Sequence, residues 1–532
     1  MKILGGAAMR EADRRTIEEY GLPGAVLMET AGLRVAEFIF TRLKPESPVV
    51  ILAGPGNNGG DGFVIARLLK RAGFDVTVWS TNKQGAYRGD AAINEKYYLK
   101  EGYIVKRLVS QVELDQFKQE LQGAGLIVDA LLGTGADREV TGLTAEVIQA
   151  VNMATAHVLS VDIPSGVNAD TGELLGCAVK ADWTVTFACP KLGLMFYPGA
   201  GQVGEIIIAD INVPEKLMEK SNVELLTAPL IRSYFTKRPG DAHKGSLGRA
   251  LIIAGSPGMT GAAVLTAESA LKGGCGLVYL AAPESICPTL EAKLVEVIVI
   301  PLPESSPGII SPAATNQIIE KAKDCDVLAI GPGLDKGEMT AELIYKLVQL
   351  SPVPLVLDAG ALAALGSDMN MLRAARYLPV LTPHPGEMAR LAGISTKQVQ
   401  SRRLEIAQKN AGFWNCNIIL KGPNTVIANP KGQAAINPTG NVSLATAGSG
   451  DLLTGLIASF IAQGMVSENA ARAGAYVHGL AGDLLPPGRG HSALDVLARF
   501  REAFELLEQT ADHFSGNPYL VSVKPFNQKG GS

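Results

Sequence analysis

VVILAGPGNNGGDGFVIARLLKRAGFDVTVWS, residues 49–80, is the stretch that decides the fold. It opens with a short apolar run rich in valine and isoleucine, breaks at glycines, and continues as FVIARLLKRAG, an amphipathic helical pattern. A second β-branched run, DVTVWS, follows. Strand, glycine loop, helix and strand in that order describe two parallel strands joined by a crossover helix. The first run does not alternate with polar residues, so its strand is buried on both faces. The same signature recurs in GLIVDALLG (125–133), HVLSVDIPSG (157–166), WTVTFA (183–188) and EIIIADI (205–211). Upstream, residues 9–40 read as two helices split at GLPG. The first half is expected to be a Rossmann-like α/β/α sandwich.

The pattern weakens across residues 212–240, which are more polar and carry turn signals at both ends. A domain boundary is expected there, with a helix near Thr227 opening a second domain. The second half repeats the class without repeating the sequence. Strand candidates are RALIIAGS (249–256), GLVYLAAP (276–283), VEVIVIP (295–301), CDVLAIGPG (325–333), PLVLDAG (354–360), PVLTPHPGE (379–387) and NIILKGPNTVIA (417–428). Helical patterns at 448–464 and 469–485 follow. The expected division is 1–218, 224–508 and a loose tail, 509–532.

The totals agree with two domains, because 532 residues exceed what one core supports. Glycine is in excess, 59 residues, and the excess lies in loops after apolar runs. The formal net charge of −4 argues against a nucleic-acid binder, which carries a basic footprint. The six cysteines are scattered without a CxxC pair. With no apolar leader at the N-terminus, reduced thiols in a cytoplasmic protein are expected. No run of eighteen apolar residues suggests a membrane span.

Three polar loops in the first half each follow a buried strand: residues 54–62, 129–138 and 162–166. In an open α/β sheet, ligands bind outside the carboxyl ends of the strands, so these loops are expected to converge. GPGNNGGDG is not the GxGxxG dinucleotide fingerprint. Asn58, Asp129 and Ser165 supply side-chain oxygens without histidine or cysteine, a set that suits a hard cation and not zinc. Each feature has a plainer reading: a glycine loop is often only a turn, and Asp129 alone is also what caps a helix. Asp162, ending a strand before Pro-Ser-Gly, stands where a base or a ribose ligand sits.

LMETAG, GPGNNGGDG, DALLGTG and VDIPSG, in this order, resemble the epimerase domain of the bifunctional NAD(P)H-hydrate repair enzymes over about residues 1–215. The resemblance implies that Asn57, Asn58, Gly59, Gly60 and Asp61, with Gly133, Thr134, Gly135, Ala136, Asp137, Arg138 and Glu139, contact the hydrated dinucleotide. It implies one K+ on Asn58, Asp129 and Ser165. Asp162 is then both a substrate contact and the candidate catalytic acid/base.

ATAGSGDLLTG, residues 445–455, places glycines around a serine and an aspartate at the start of an apolar helix. Backbone N–H groups there would stabilise an anion, and Asp451 would take a proton from an attacking hydroxyl. The plainer reading is an aspartate cap. GSGD resembles the anion hole of ribokinase-like kinases. With HKGSLGRALIIAGSPGMTGAA, IGPGL, LDAGAL, LTPHPGE and KGPNTVI, residues 225–508 resemble the ADP-dependent dehydratase domain of the same repair enzymes. The resemblance implies a ribokinase-like α/β domain. It assigns Lys421, Gly422, Pro423, Asn424, Thr425 and Gly450 to the adenine nucleotide, and Ala262, Gly333, His384 and Asp451 to the hydrate. Taken alone, His384 is more often a loop histidine satisfied by a neighbour. Threonine is more usual where Ser449 stands. The implied substrates are NADHX, NADPHX and ADP, with ATP the alternative nucleotide. Mg2+ is admissible, though no carried-over residues form a magnesium cage. No nucleic-acid or membrane partner is expected, and a homo-oligomer is. The competing reading is a ribokinase-like small-molecule kinase fused to a non-catalytic nucleotide-binding domain.

Overall fold

In the computed structural model, which describes residues 1–366, 368–509 and 517–524, the opening stretch folds as strand β1 (Val49–Ala53), helix Asn57–Arg71 and strand β2 (Val76–Ser80). β1 and β2 are parallel, with Val49 opposite Val76 and Ala53 opposite Ser80. Every residue of β1 is buried. Alternate side chains leave the strand on opposite faces. Val49, Ile51 and Ala53 accordingly join one apolar core, and Val50 and Leu52 join a second. Strand β4 (Leu126–Ala130) divides in the same way, Leu126 and Val128 to the first core and Ile127 to the second. The unbroken apolar run is thus the signature of a sheet covered twice.

The chain divides into two units, Met1–Ser221 joined by a C-terminal segment, and Asn222–Thr510. The first sheet adds β3 (Val105–Arg107), β4 (Leu126–Ala130), β5 (His157–Val161), β6 (Trp183–Phe187) and β7 (Glu205–Ala209). Its order is β3-β2-β1-β4-β5-β6-β7, all parallel, which is the doubly wound order with its switch point between β1 and β4. The two early helices are Gly6–Glu18 and Gly24–Arg42, split where GLPG stands.

The second unit carries β8 (Val223–Leu225), β9 (Arg249–Ile253), β10 (Leu277–Pro283), β11 (Ile298–Leu302), the small hairpin β12 (Glu304–Ser306) and β13 (Ile309–Ile310), then β14 (Val327–Ile330), β15 (Leu355–Leu357), β16 (Val380–Leu381), β17 (Asn417–Leu420), β18 (Val426–Ala428) and β19 (Ala434–Ile436). Its ten-stranded sheet runs β11-β10-β9-β14-β15-β16-β17-β18-β19-β8, with the switch point between β9 and β14. The seven strands from β11 to β17 are parallel. Thr227 is the N-cap of a short helix, Ala228–Arg232. Helix Ser449–Ala462 packs on helix Thr260–Lys272 so closely that a Cβ on Gly455 would stand 2.1 Å from the Thr266 carbonyl.

Two readings need correction. Residues 417–428 are not one strand: β17 and β18 pair antiparallel around a turn whose Gly422 and Asn424 have φ of +138° and +50°. The C-terminal segment is not wholly a loose tail. Leu520–Ser522 forms β20, antiparallel to β7, and the Asp210 N–H donates to the Tyr519 carbonyl at 2.9 Å. That edge of the first sheet is therefore covered. The final FNQKGGS run lies outside the described residues.

Candidate active sites

The loops after β1, β4 and β5 meet at the first switch point. Gly54 and Gly59 make the meeting close: a Cβ on Gly59 would lie 2.0 Å from the Gly54 carbonyl, and one on Gly54 would lie 1.7 Å from the Leu131 carbonyl. Asn58 is buried at the start of helix Asn57–Arg71 and donates Nδ2–H to the Leu132 carbonyl at 3.1 Å. Its Oδ1 is buried with no hydrogen-bond partner among the described residues. Asp129 is fully buried and accepts Ser165 Oγ–H at 2.5 Å, Ser160 Oγ–H at 2.8 Å, Ser165 N–H at 2.9 Å and Leu131 N–H at 3.3 Å. Burial raises its carboxyl against those four bonds. Asn58, Asp129 and Ser165 thus gather around Leu132, to whose N–H Ser165 Oγ is also bonded at 2.9 Å.

Asp162 follows β5 in the left-handed region, φ +67°, where a non-glycine residue is strained and often functional. Its Oδ1 accepts from Lys191 Nζ at 2.6 Å. Burial, then the charges of Asp162 and Asp13, push the Asp61 carboxyl well above its ordinary range. Asp13, on helix Gly6–Glu18, is raised to about 6 by burial, against the pull of Lys191. Gly133 lies beside Asn58, with a built Cβ 3.4 Å from the Asn58 Cβ, and the Thr134 carbonyl accepts from Arg10 at 2.8 Å. Asp137 and Arg138, at 82% and 95% side-chain exposure, stand in solvent instead of in the crevice. Asp13 and Lys191 were missed from the sequence. Lys191 had one signal, a lysine in the run CPKLG just after the strand WTVTFA.

In the second unit, the loops after β14, β15 and β17 meet the start of helix Ser449–Ala462. Gly448 is its N-cap at φ +88°. Lys421 Nζ donates to Asp358 Oδ1 at 2.9 Å, and Thr454 Oγ1 donates to Asp358 Oδ2 at 2.8 Å. A Cβ on Gly450 would lie 3.2 Å from Lys421 Nζ, which puts these two assigned nucleotide residues together. Burial alone would lower the Lys421 ammonium, but Asp358, Glu387 and Asp451 together hold it above the ordinary lysine value. Burial and the Asp358 charge push Asp451 up to about 7, against the pull of Lys421. A carboxyl that exchanges its proton near neutrality is matched to acid–base work.

Gly333 and Ala262 also adjoin: a Cβ on Gly333 would sit 3.1 Å from the Ala262 Cβ. His384 caps helix Pro385–Ala392, its Nδ1 accepting the Gly386 N–H at 3.0 Å and its own N–H donating to Glu387 Oε2 at 2.8 Å. The plainer reading of His384 therefore holds in part, since one ring nitrogen is engaged in the cap. Thr425 Oγ1 donates to the Gly422 carbonyl at 2.9 Å, closing the loop that holds Pro423 and Asn424. Behind the glycine loop, Ser449 Oγ is 3.2 Å from Nε2 of buried His478, which burial and Lys421 push down to about 4. Asp358, Glu387, Thr454 and His478 were not singled out from the sequence. Asp358 was reachable, since it ends the strand PLVLD as Asp162 ends SVD.

Fold and site together define a two-headed α/β enzyme, with one polar crevice at the carboxyl ends of the parallel strands in each sheet. The family described as YjeF-related protein N-terminus matches residues 24–193, and the family described as NAD(P)H-hydrate dehydratase matches residues 250–499. The bifunctional NAD(P)H-hydrate repair enzyme of Moorella thermoacetica is 45% identical over 499 residues, 93% of this chain and 94% of that one. That of Thermofilum pendens is 40% identical over 527 residues, 99% of this chain and all of its own. The crystal structure of the ADP/ATP-dependent NAD(P)H-hydrate dehydratase from Bacillus subtilis, obtained with ATP and Mg2+, is 30% identical; it covers 54% of this chain and 99% of its own, with a TM-score of 0.45. The chain belongs to the bifunctional NAD(P)H-hydrate repair enzymes, with an epimerase domain followed by a dehydratase domain. No helix among the described residues is long and apolar enough to cross a membrane.

Proposed function

We propose that the first domain interconverts the R and S epimers of NADHX and NADPHX, and that the second dehydrates the S epimer while ADP becomes AMP and phosphate. The observation that carries the dehydratase half is Asp451, raised to about 7 beside Lys421 and Gly450 at a glycine-rich helix start. Hydroxide leaves a saturated ring carbon poorly at neutral pH. In the proposed step Asp451 takes the proton of the hydrate hydroxyl, and its oxygen forms a bond to the terminal phosphorus of ADP as the bridging P–O bond breaks and AMP leaves. The N–H groups at the helix start and the Lys421 ammonium stabilise the charge in transit. The ring nitrogen lone pair then expels phosphate, and loss of a proton from the neighbouring carbon restores the ring double bond. Lys421, Gly422, Pro423, Asn424, Thr425 and Gly450 hold the nucleotide; Ala262, Gly333 and His384 hold the hydrate.

For the epimerase half, Asn57, Asn58, Gly59, Gly60 and Asp61 and the 133–139 loop hold the dinucleotide, and Asp162 exchanges the proton. Epimerisation at the hydrate carbon proceeds through proton shuttling or through reversible loss of the hydroxyl, and a carboxylate serves either route. The residues at the crevice floor fit K+: Asn58 Oδ1 is buried without a partner among the described residues, and Asp129 and Ser165 complete an oxygen-only set. Bound there, the ion would supply a fixed positive charge close to the dinucleotide loop. No cluster of three acidic, histidine or cysteine side chains suited to a metal occurs among the described residues, so Mg2+ would arrive with the nucleotide. A cytoplasmic homo-oligomer is the expected working form, and the six cysteines are unpaired.

The test is hydrate carrying labelled hydroxyl oxygen, turned over with ADP in K+ buffer and in tetramethylammonium buffer. Label in the released phosphate and an epimerisation rate that needs K+ are expected. Label in water would contradict the phosphoryl-transfer scheme, and an equal rate in both buffers would remove K+.

A further inference from the structure

Lys191 lies in the first crevice and has no part in the function described so far. Its side chain is fully buried. The ammonium donates to Asp162 Oδ1 at 2.6 Å, to the Phe187 carbonyl at 2.8 Å and to Thr186 Oγ1 at 3.0 Å. An ammonium has three N–H bonds, so all three are engaged inside the protein. None remains for a substrate phosphate, the common use of a lysine beside a nucleotide loop. The backbone on both sides is fixed too, because the Leu4 N–H donates to the Pro190 carbonyl at 3.1 Å and the Leu192 N–H to the Leu4 carbonyl at 3.0 Å.

The carboxylate that Lys191 meets is held with equal care. The Asp162 N–H donates to the Val185 carbonyl at 2.8 Å, and Thr186 Oγ1 reaches the same Oδ1 at 3.3 Å. Oδ2 accepts no hydrogen bond among the described residues. Asp13 Oδ1 is buried without a partner among the described residues, and Asp61 is buried as well. Burial raises the thiol of Cys189, two residues before Lys191, to about 11. The Lys191 ammonium pulls on Asp13 and Cys189, but the carboxylate it touches is Asp162.

We propose that Lys191 is the positioning residue of the epimerase: its buried ammonium pairs with Asp162, locks Oδ1, and leaves Oδ2 as the oxygen that exchanges a proton with the hydrate. The inference rests on Asp162 being the acid–base group of that domain. A buried lysine whose only duty was to fill space would be replaceable by an apolar side chain of similar volume, as buried ion pairs often are. A lysine that sets the charge state of a reacting carboxylate is not replaceable without a change in the pH dependence of the rate.

The test uses the full-length enzyme and a mixture of NADHX epimers, with the epimerisation rate followed against pH in wild type, Lys191→Met, Lys191→Arg, Asp162→Asn and the Lys191→Met/Asp162→Asn double variant. Lys191→Met is expected to lower kcat for epimerisation about 100-fold, a usual size for lost acid–base function, with KM within about threefold. Its acid limb moves to higher pH by about one unit, and the dehydratase phase on the S epimer is unchanged. Lys191→Arg keeps the acid limb where it is, and the double variant is no slower than Asp162→Asn alone. An epimerisation rate within twofold of wild type and an unmoved limb in Lys191→Met overturn the proposal, as do losses that add in the double variant. If Lys191→Met does not fold, Lys191→Arg decides, since a moved acid limb there overturns the proposal and an unmoved one supports it. A wild type that does not interconvert the epimers, or Asp162→Asn that still does, refutes the epimerase reading itself and is seen separately.

Discussion

Asp451 shows how one side chain links stability to reactivity. Its ordinary value is 3.8, and burial with the Asp358 charge carries it to about 7. For a carboxyl raised on folding, the stabilising protonated form is fully present below the unfolded value and is lost as pH rises through the folded one. The ionised form therefore costs the second domain up to about 4 kcal/mol above pH 7, an upper bound before water relaxes around the charge. Asp451→Asn, which imitates the protonated form, is expected to raise the melting temperature at pH 8 by ~5 °C and to leave it nearly unchanged at pH 4. Asp358→Asn removes the like charge, so the acid limb of the dehydratase rate moves below its wild-type position. An unmoved limb would show that Asp358 does not govern Asp451. Residues at strand ends, such as Asp162 and Asp129, were legible because the sequence marks strand ends. Lys191 and His478 were not, because their roles come from burial and from partners 29 residues away in each case.

At the scale of elements, glycines decide where backbones can meet. Gly59 lies in the first turn of its helix, with its missing Cβ 2.0 Å from the Gly54 carbonyl. Gly59→Ala must push the helix away from the strand and is expected to destabilise the first domain by about 1–3 kcal/mol, the usual range for overpacking. Denaturant unfolding of the full chain should show that loss in the first domain's transition, and no loss would mean that the loop relaxes freely. Parallel strands and their helices were readable because long apolar runs and 3.6-residue periodicity persist through them. The strands β3, β8 and β19 were not, since each has three residues and sits where pairing, not pattern, defines it. β18 was hidden inside what read as one strand with β17, although Gly422-Pro423-Asn424 is a turn signal, because β18 is only three residues long and is defined by its antiparallel pairing.

At the scale of the molecule, the two domains make chemical sense together. A dehydratase that accepts one epimer clears only part of a mixed pool, and an epimerase on the same chain feeds it the remainder. Domain number, fold class and both crevices were legible from sequence. The return of the chain end to the first sheet as β20 was not, since LVS is too short to carry a strand signal and its partner β7 lies some 310 residues upstream.

Recovery of reduced-nicotinamide absorbance from a mixture of both NADHX epimers tests the central claim most directly. It is to be run with ADP, with ATP and with neither, in wild type, Asp451→Asn and Asp162→Asn. The account predicts full recovery that requires a nucleotide, no recovery in Asp451→Asn, and in Asp162→Asn a fast phase for one epimer with the second phase slowed. No recovery with any nucleotide, or a second phase of wild-type rate in Asp162→Asn, would contradict it.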